Sequence, residues 1–238
     1  MANKGIIYLA FGEEFDKLTA STANYSRQFT ELPICVLTNL EKRSPFWKSV
    51  SDVSFIYMPL LSNKNRGIKV SLMEYSPYDE TLFMDADSVI QKSGIESLFE
   101  YLEDLDLACQ WYGQLTCEDV AVQKMFMKST YDKLLDLLGE NYPIELFSEA
   151  ALLFKKTIMS QKFFALWKEY WELMGCGRDM PAFCFAVKHT MANIKIFRED
   201  VQFCTNKEKE SYFIQHKGFE GFEKKFNLPN YIDWSPRL

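Results

Sequence analysis

Thr81-Leu82-Phe83-Met84-Asp85-Ala86-Asp87-Ser88-Val89-Ile90 decides how this chain is read. A mostly apolar run, 81–84, leads straight into two carboxylates separated by one small residue. The run reads as a buried strand, with Asp85 and Asp87 where it ends. In open α/β sheets, ligands bind at the carboxyl ends of the strands. Two hard oxygen donors at such an end suit Mg²⁺ or Mn²⁺, and such a cation in turn holds phosphates. The stretch therefore points to a metal–nucleotide site.

Upstream of it, the pattern alternates strand and helix. Gly5–Ala10, Ile34–Leu37 and Val53–Met58 read as strands, the last closed by Pro59. Phe15–Phe29 has helical spacing, with Phe15, Leu18, Thr22, Tyr25 and Phe29 on one face. Gly67–Tyr75 reads as a short helix stopped by Ser76-Pro77. Thr81–Met84 is then the fourth strand. Such alternation implies a doubly wound, mostly parallel sheet and a nucleotide-binding half over about residues 1–110. Downstream the pattern is less regular. Ile95–Leu102, Tyr131–Leu138, Thr157–Met174 and Met180–His189 read as helices, and Leu107–Gln110, Ala150–Phe154 and Ile194–Phe197 as strands. The stripe Phe163, Phe164, Trp167, Tyr170 and Trp171 reads as core. The tail after His216 reads as an extended closing segment.

At 238 residues with 47% hydrophobic and 16% aromatic residues, the chain can bury a sizeable core, and a single α/β domain is expected. The net charge of −6 argues against a broad nucleic-acid face, which needs a basic excess. A local basic groove stays open. Six scattered cysteines without a CxxC spacing read as reduced thiols, most of them buried. No apolar run is long enough to span a bilayer and no signal-peptide pattern opens the chain, so a cytoplasmic protein is expected.

An Asp-x-Asp triplet is weak evidence by itself, and the chain carries a second one. Asp104-Leu105-Asp106 follows an acidic helix with Glu100 and Glu103, and reads as a solvated face. Position separates the two triplets. A phosphatase of the haloacid-dehalogenase type would use Asp85 as nucleophile and Asp87 as general acid. Three strands already precede this one, and no later Gly-Asp-x-x-x-Asp pattern follows.

The chain resembles the GT-A-fold glycosyltransferases, and among them the glycogenin-like enzymes and related nucleotide-diphospho-sugar transferases. The most specific block is Arg66-Gly67-Ile68-Lys69 followed by Ser76-Pro77-Tyr78 and the 81–90 stretch. Tyr8-Leu9-Ala10 with Ala20-Ser21-Thr22 and Ser26 resembles the opening of these enzymes, and Leu37-Thr38-Asn39 their second strand end. Phe147-Ser148-Glu149-Ala150-Ala151 resembles the acceptor-side strand, and Gly177-Arg178-Asp179-Met180-Pro181-Ala182-Phe183 an Asp-Gln-Pro-Ala-Phe motif.

The resemblance implies a single GT-A-like domain with an acceptor-side half over about 111–238. It implies sugar transfer from a nucleotide-diphosphate sugar, a UDP-sugar, to an unidentified glycan, protein, small molecule or modified DNA base. Mn²⁺ (or Mg²⁺) would be held by Asp85, Asp87 and His216. The donor would meet Tyr8, Ala10, Thr38, Arg66, Lys69, Asp85, Ala86 and Lys217. Asp179, or alternatively Glu149, would be the catalytic carboxylate. Met180 and Glu149-Ala150-Ala151 depart from the family's Gln and Asn/Gln-x-Gly, both on the acceptor side. A non-catalytic nucleotide-sugar-binding module is the alternative. A nucleotidyltransferase would need a Gly-rich loop, and Ala10-Phe11-Gly12-Glu13-Glu14 lacks one.

Overall fold

The computed structural model describes residues 3–59, 65–116, 128–197, 203–204 and 213–215. In chain order the strands are β1 (Lys4–Ala10), β2 (Ile34–Thr38), β3 (Val53–Tyr57), β4 (Glu80–Met84), β5 (Ser88–Ile90), β6 (Leu107–Leu115), β7 (Ile144–Lys155), β8 (Ile194–Phe197), β9 (Phe203–Cys204) and β10 (Phe213–Gln215). The α-helices are α1 (Glu13–Ser26), α2 (Asn65–Lys69), α3 (Leu72–Tyr75), α4 (Lys128–Leu138), α5 (Ile158–Leu173) and α6 (Met180–His189).

Among the described residues, seven strands form one sheet in the order β3-β2-β1-β4-β7-β6-β8. The pairs β1–β2, β2–β3, β1–β4 and β6–β8 are parallel, while β7 is antiparallel to both its neighbours. The fold is thus α/β with a mostly parallel sheet, as the alternation implies. A second sheet, β5-β10-β9, stands apart from it.

Side chains of the parallel strands alternate between two apolar layers. Ile7, Cys35, Leu37 and Phe83 pack with α5 and α6, through Phe163, Phe164, Trp167 and Phe183. Ile6, Tyr8, Ala10, Val36, Leu82 and Met84 pack with Ala20 and Ala23 of α1. The same layer holds Ile95, Leu98, Phe99 and Leu102. The aromatic stripe of α5 is core, except that Trp171 is only partly buried.

Several expectations are corrected. The segment read as one helix, Gly67–Tyr75, is two short helices broken at Val70-Ser71, because the Ser71 and Glu74 amides bond as turns. Ile95–Leu102 is a 3-10 helix, and α1 ends at Ser26 rather than Phe29. β7 and β6 run well beyond the segments 150–154 and 107–110, because cross-strand pairing carries the polar residues Glu145 and Gln114 into the ladder. Asp106 is not on a solvated face. It is 7% exposed and accepts from the Thr157 hydroxyl at 2.6 Å and the Asn193 amide at 3.0 Å. It ties the start of α5 to the turn before β8. Cys176 is exposed, whereas Cys35, Cys109 and Cys184 are buried thiols.

Candidate functional site

Parallel pairing brings the carboxyl ends of β1, β2 and β4 to one edge of the sheet. There the Gly12 amide donates to Asn39 Oδ1 at 2.9 Å, joining the β1 and β2 ends. The chain leaves β4 into the turn Asp85-Ala86-Asp87, closed by the Ser88 amide donating to the Asp85 carbonyl at 3.0 Å. Helix α1 fastens the turn. The Thr22 hydroxyl shares its proton between the Ala86 and Thr19 carbonyls, both at 3.0 Å, and Ser26 Oγ accepts from the Ile90 amide at 2.9 Å. Thr22 and Ser26, four apart, lie on the same buried side of α1.

Glu149 reaches the same edge from the strand that runs the other way. Cys109 pairs with Leu152 but Gln110 pairs with Ser148, so residues 149–151 bulge from the β6 side of β7. On its other side the bulge stays paired, with the Asp85 amide donating to the Ala150 carbonyl at 2.9 Å. Bulges re-aim side chains next to active sites. Here the bulge sets Glu149 level with Asp85. Asp179 arrives at the start of α6. Its carboxylate makes no capping bond to that helix and turns to the cations of α2 instead.

Arg66 and Lys69 lie three apart on α2 and so share a face. Trp171 packs against Gly67 between them, where an added Cβ would lie 3.2 Å from the Trp171 ring. Lys69 Nζ stands 3.0 Å from Asp85 Oδ1, 3.2 Å from Glu149 Oε1 and 3.3 Å from Asp179 Oδ2. Arg66 Nε lies 3.6 Å from Asp179 Oδ1. The structure therefore brings Arg66, Lys69, Asp85, Glu149 and Asp179 together, with Ala86 and Asp87 in the adjoining turn.

Lys69 is 6% exposed. Burial works against its charge, but Asp179, Asp85 and Glu149 outweigh it and hold the ammonium well above the ordinary lysine range. The pKa values of Glu149 and Asp179 are pushed apart. Burial raises Glu149, with Asp179 and Asp85 adding to the rise against the pull of Lys69. Burial also opposes ionisation of Asp179, but Lys69 and Arg66 prevail and its pKa falls. Environments that separate two carboxylates in this way assign them different roles.

Tyr8, Ala10 and Thr38 are fully buried. The Tyr8 hydroxyl contacts Met84 Sδ at 3.5 Å, and burial pushes its pKa up to about 12. The Tyr8 ring thus packs in the core beneath the strand end. His216 and Lys217 lie outside the described residues. The His189 ring bridges Glu140 Oε1 at 2.5 Å and the Tyr170 hydroxyl at 2.8 Å, away from the Lys69 cluster. Among the described residues, no three His, Cys, Asp or Glu side chains stand together as a ready metal cage. Nor is any helix among them long and apolar enough to cross a membrane.

The sharing of Lys69 was not visible in the sequence, because its partners come from three distant segments. Arg178 was also missed as a site residue. It borders the cluster, and burial together with the neighbouring Arg66 lowers its pKa.

No family model matches the chain, and no curated protein sequence matches it. Solved structures do. The WbbM bifunctional glycosyltransferase in its apo form aligns with a TM-score of 0.57 at 13% identity over 92% of this chain, which spans only 46% of that one. The galactosyltransferase LgtC, in complex with donor and acceptor sugar analogs, aligns at 0.52 and 14% identity, over 84% of this chain and 75% of its own. Mouse xyloside xylosyltransferase 1, apo form, aligns at 0.58 and 10% identity, over 94% and 98%. The chain has a GT-A-like glycosyltransferase fold.

Proposed function

We propose that the chain is a metal-dependent glycosyltransferase that moves a sugar from a UDP-sugar to an acceptor hydroxyl. One observation carries this reading. At the ligand-binding edge of the sheet, Asp85 of the β4 turn and two carboxylates of the opposite half, Glu149 and Asp179, meet around one buried ammonium. A donor diphosphate and an acceptor need such a meeting point.

The donor set fits a hard divalent cation. Asp85 and Asp87 supply carboxylate oxygens from one tight turn, and Asp87 is only 3% exposed. These two would hold Mn²⁺ or Mg²⁺, and His216 is proposed as a third ligand. β10 ends at Gln215, whose partner Ser88 follows Asp87, and His216 is next in sequence. The cation, when bound, neutralises charge on the leaving diphosphate. Arg66 and Lys69 bind the same diphosphate by charge-assisted hydrogen bonds, with Lys217 proposed beside them. Asp179, held ionised by Lys69 and Arg66, stabilises positive charge developing on the sugar. Glu149, held above the ordinary carboxylate range, is the better placed to take the acceptor proton near neutral pH.

Thermal unfolding with UDP, GDP, CDP or ADP, each with Mn²⁺ or EDTA, tests the donor half. UDP with Mn²⁺ at about 100 times its Kd stabilises by roughly 2.7 kcal/mol, which raises Tm by about 5 °C or more. Asp87→Ala removes that shift. Absence of any metal-dependent shift with all four nucleotides overturns the reading. Metal-dependent binding without hydrolysis or transfer of any UDP-sugar assigns the chain to nucleotide-sugar binding alone.

A further inference from the structure

We infer that Lys69 is a resident competitor for the cation site, and that it couples metal binding to the arrival of the donor diphosphate. This rests on the reading above.

The ammonium occupies the position of a counter-ion that three carboxylates already share, at 3.0 Å, 3.2 Å and 3.3 Å. One of the three, Asp85, belongs to the turn that would hold the metal. Without a donor, a divalent cation approaching Asp85 meets a fixed positive charge on that carboxylate's own oxygen. The repulsion between a single and a double charge is twice that between two single charges, and burial weakens its screening. Lys69 is 6% exposed, and its Nζ also lies 5.2 Å from the Phe83 ring centre, so the charge sits between the carboxylates and the core. A diphosphate reverses the balance. Its oxygens accept from Lys69 on one side and bind the cation on the other, so the two positive charges flank a negative group instead of facing each other.

The site is thus set to load metal and donor together. Metal alone binds weakly, and donor loss releases the metal. The coupling is reciprocal, so the metal tightens the diphosphate by the same factor. Glu149 and Asp179 are the second part of the device. They hold Lys69 in place when the donor is absent, and are left for the acceptor when the diphosphate draws it away.

The test is a binding cycle read without turnover. Bound Mn²⁺ is followed by the electron paramagnetic resonance signal of the free ion, with and without saturating UDP, and corrected by a protein-free series. The wild type is expected to bind Mn²⁺ at least about tenfold more tightly with UDP than without it. In Lys69→Met, Mn²⁺ alone binds about tenfold more tightly than in the wild type, and the UDP effect shrinks toward that of solution complexation. Lys69→Arg, which keeps the charge, retains the coupling. If Lys69→Met does not fold, Lys69→Gln takes its place in the same cycle. Equal Mn²⁺ affinity in the wild type with and without UDP overturns the inference before any variant is made. So does a neutral variant that binds Mn²⁺ alone no better than the wild type, while the metal–donor reading survives. If the wild type binds neither Mn²⁺ nor UDP, both fall together.

Discussion

Glu149 and Asp179 face the same ammonium, yet their acid–base behaviour diverges, and that divergence can be measured as stability. Asp179 has a lowered pKa, so it contributes stability above its unfolded value of about 3.9, and this is lost as pH falls. Glu149 has a raised pKa, so its contribution is present below its unfolded value of about 4.3 and turns into a cost as pH rises through the folded value. Asp179→Asn is therefore expected to lose about 2 kcal/mol at pH 7, as a charged hydrogen-bond partner does. Glu149→Gln is expected to gain stability at pH 7, because the ionised carboxylate it replaces is penalised by burial. The Glu149→Gln gain fades as pH falls toward 4, whereas the Asp179→Asn loss persists at pH 4 and shrinks only below it. Urea unfolding at the two pH values checks the signs, and a loss in both variants at pH 7 would contradict this account. Gly5 gives a residue-scale prediction free of charge effects. A Cβ there would lie 2.4 Å from Tyr78 Cζ, and that ring is buried. Gly5→Ala is expected to cost about 1–3 kcal/mol through overpacking. An unchanged midpoint would mean the ring moves freely.

At the scale of elements, the strands were legible and their irregularities were not. Buried parallel strands such as Ile34–Thr38 announce themselves as apolar runs, and Asp85 and Asp87 were placed by the end of one. The bulge at 149–151 has no local signature, because it exists only in the mismatch between β7 and its neighbour β6. The break between α2 and α3 likewise follows from turn bonding and not from periodicity. Long-range partnership is invisible to spacing, which is why Lys69 read as a donor contact and not as the hub of a cluster. The clasp of α1 on the β4 turn can be tested. Thr22→Val keeps the shape but leaves the Ala86 carbonyl without its donor, at a cost of about 1–3 kcal/mol. If that clasp positions Asp85 and Asp87, the Mn²⁺-dependent nucleotide shift in Tm falls as well. A lower Tm with an undiminished nucleotide shift would confine Thr22 to stability. Asp16 makes a comparable tie elsewhere on α1. Its buried carboxylate accepts from Trp47 Nε1 at 2.8 Å and the Ser44 amide at 2.5 Å.

For the whole molecule, one sheet runs from β3 to β8 and both apolar layers span it. Urea unfolding followed by tryptophan fluorescence and by far-ultraviolet circular dichroism is therefore expected to show one coincident transition. Two separated transitions would mean that the halves are stable alone. The Lys69 cluster also bears on how the molecule is made. Its ammonium belongs to the early part of the chain, Glu149 and Asp179 to the late part, and contacts of such separation close slowly. As the polypeptide leaves the ribosome, the first strands can pair while this cation still has only Asp85 beside it. The later segments, on docking, complete the sheet and neutralise the charge in one event. A chain that stops short of Asp179 therefore lacks part of this charge cluster.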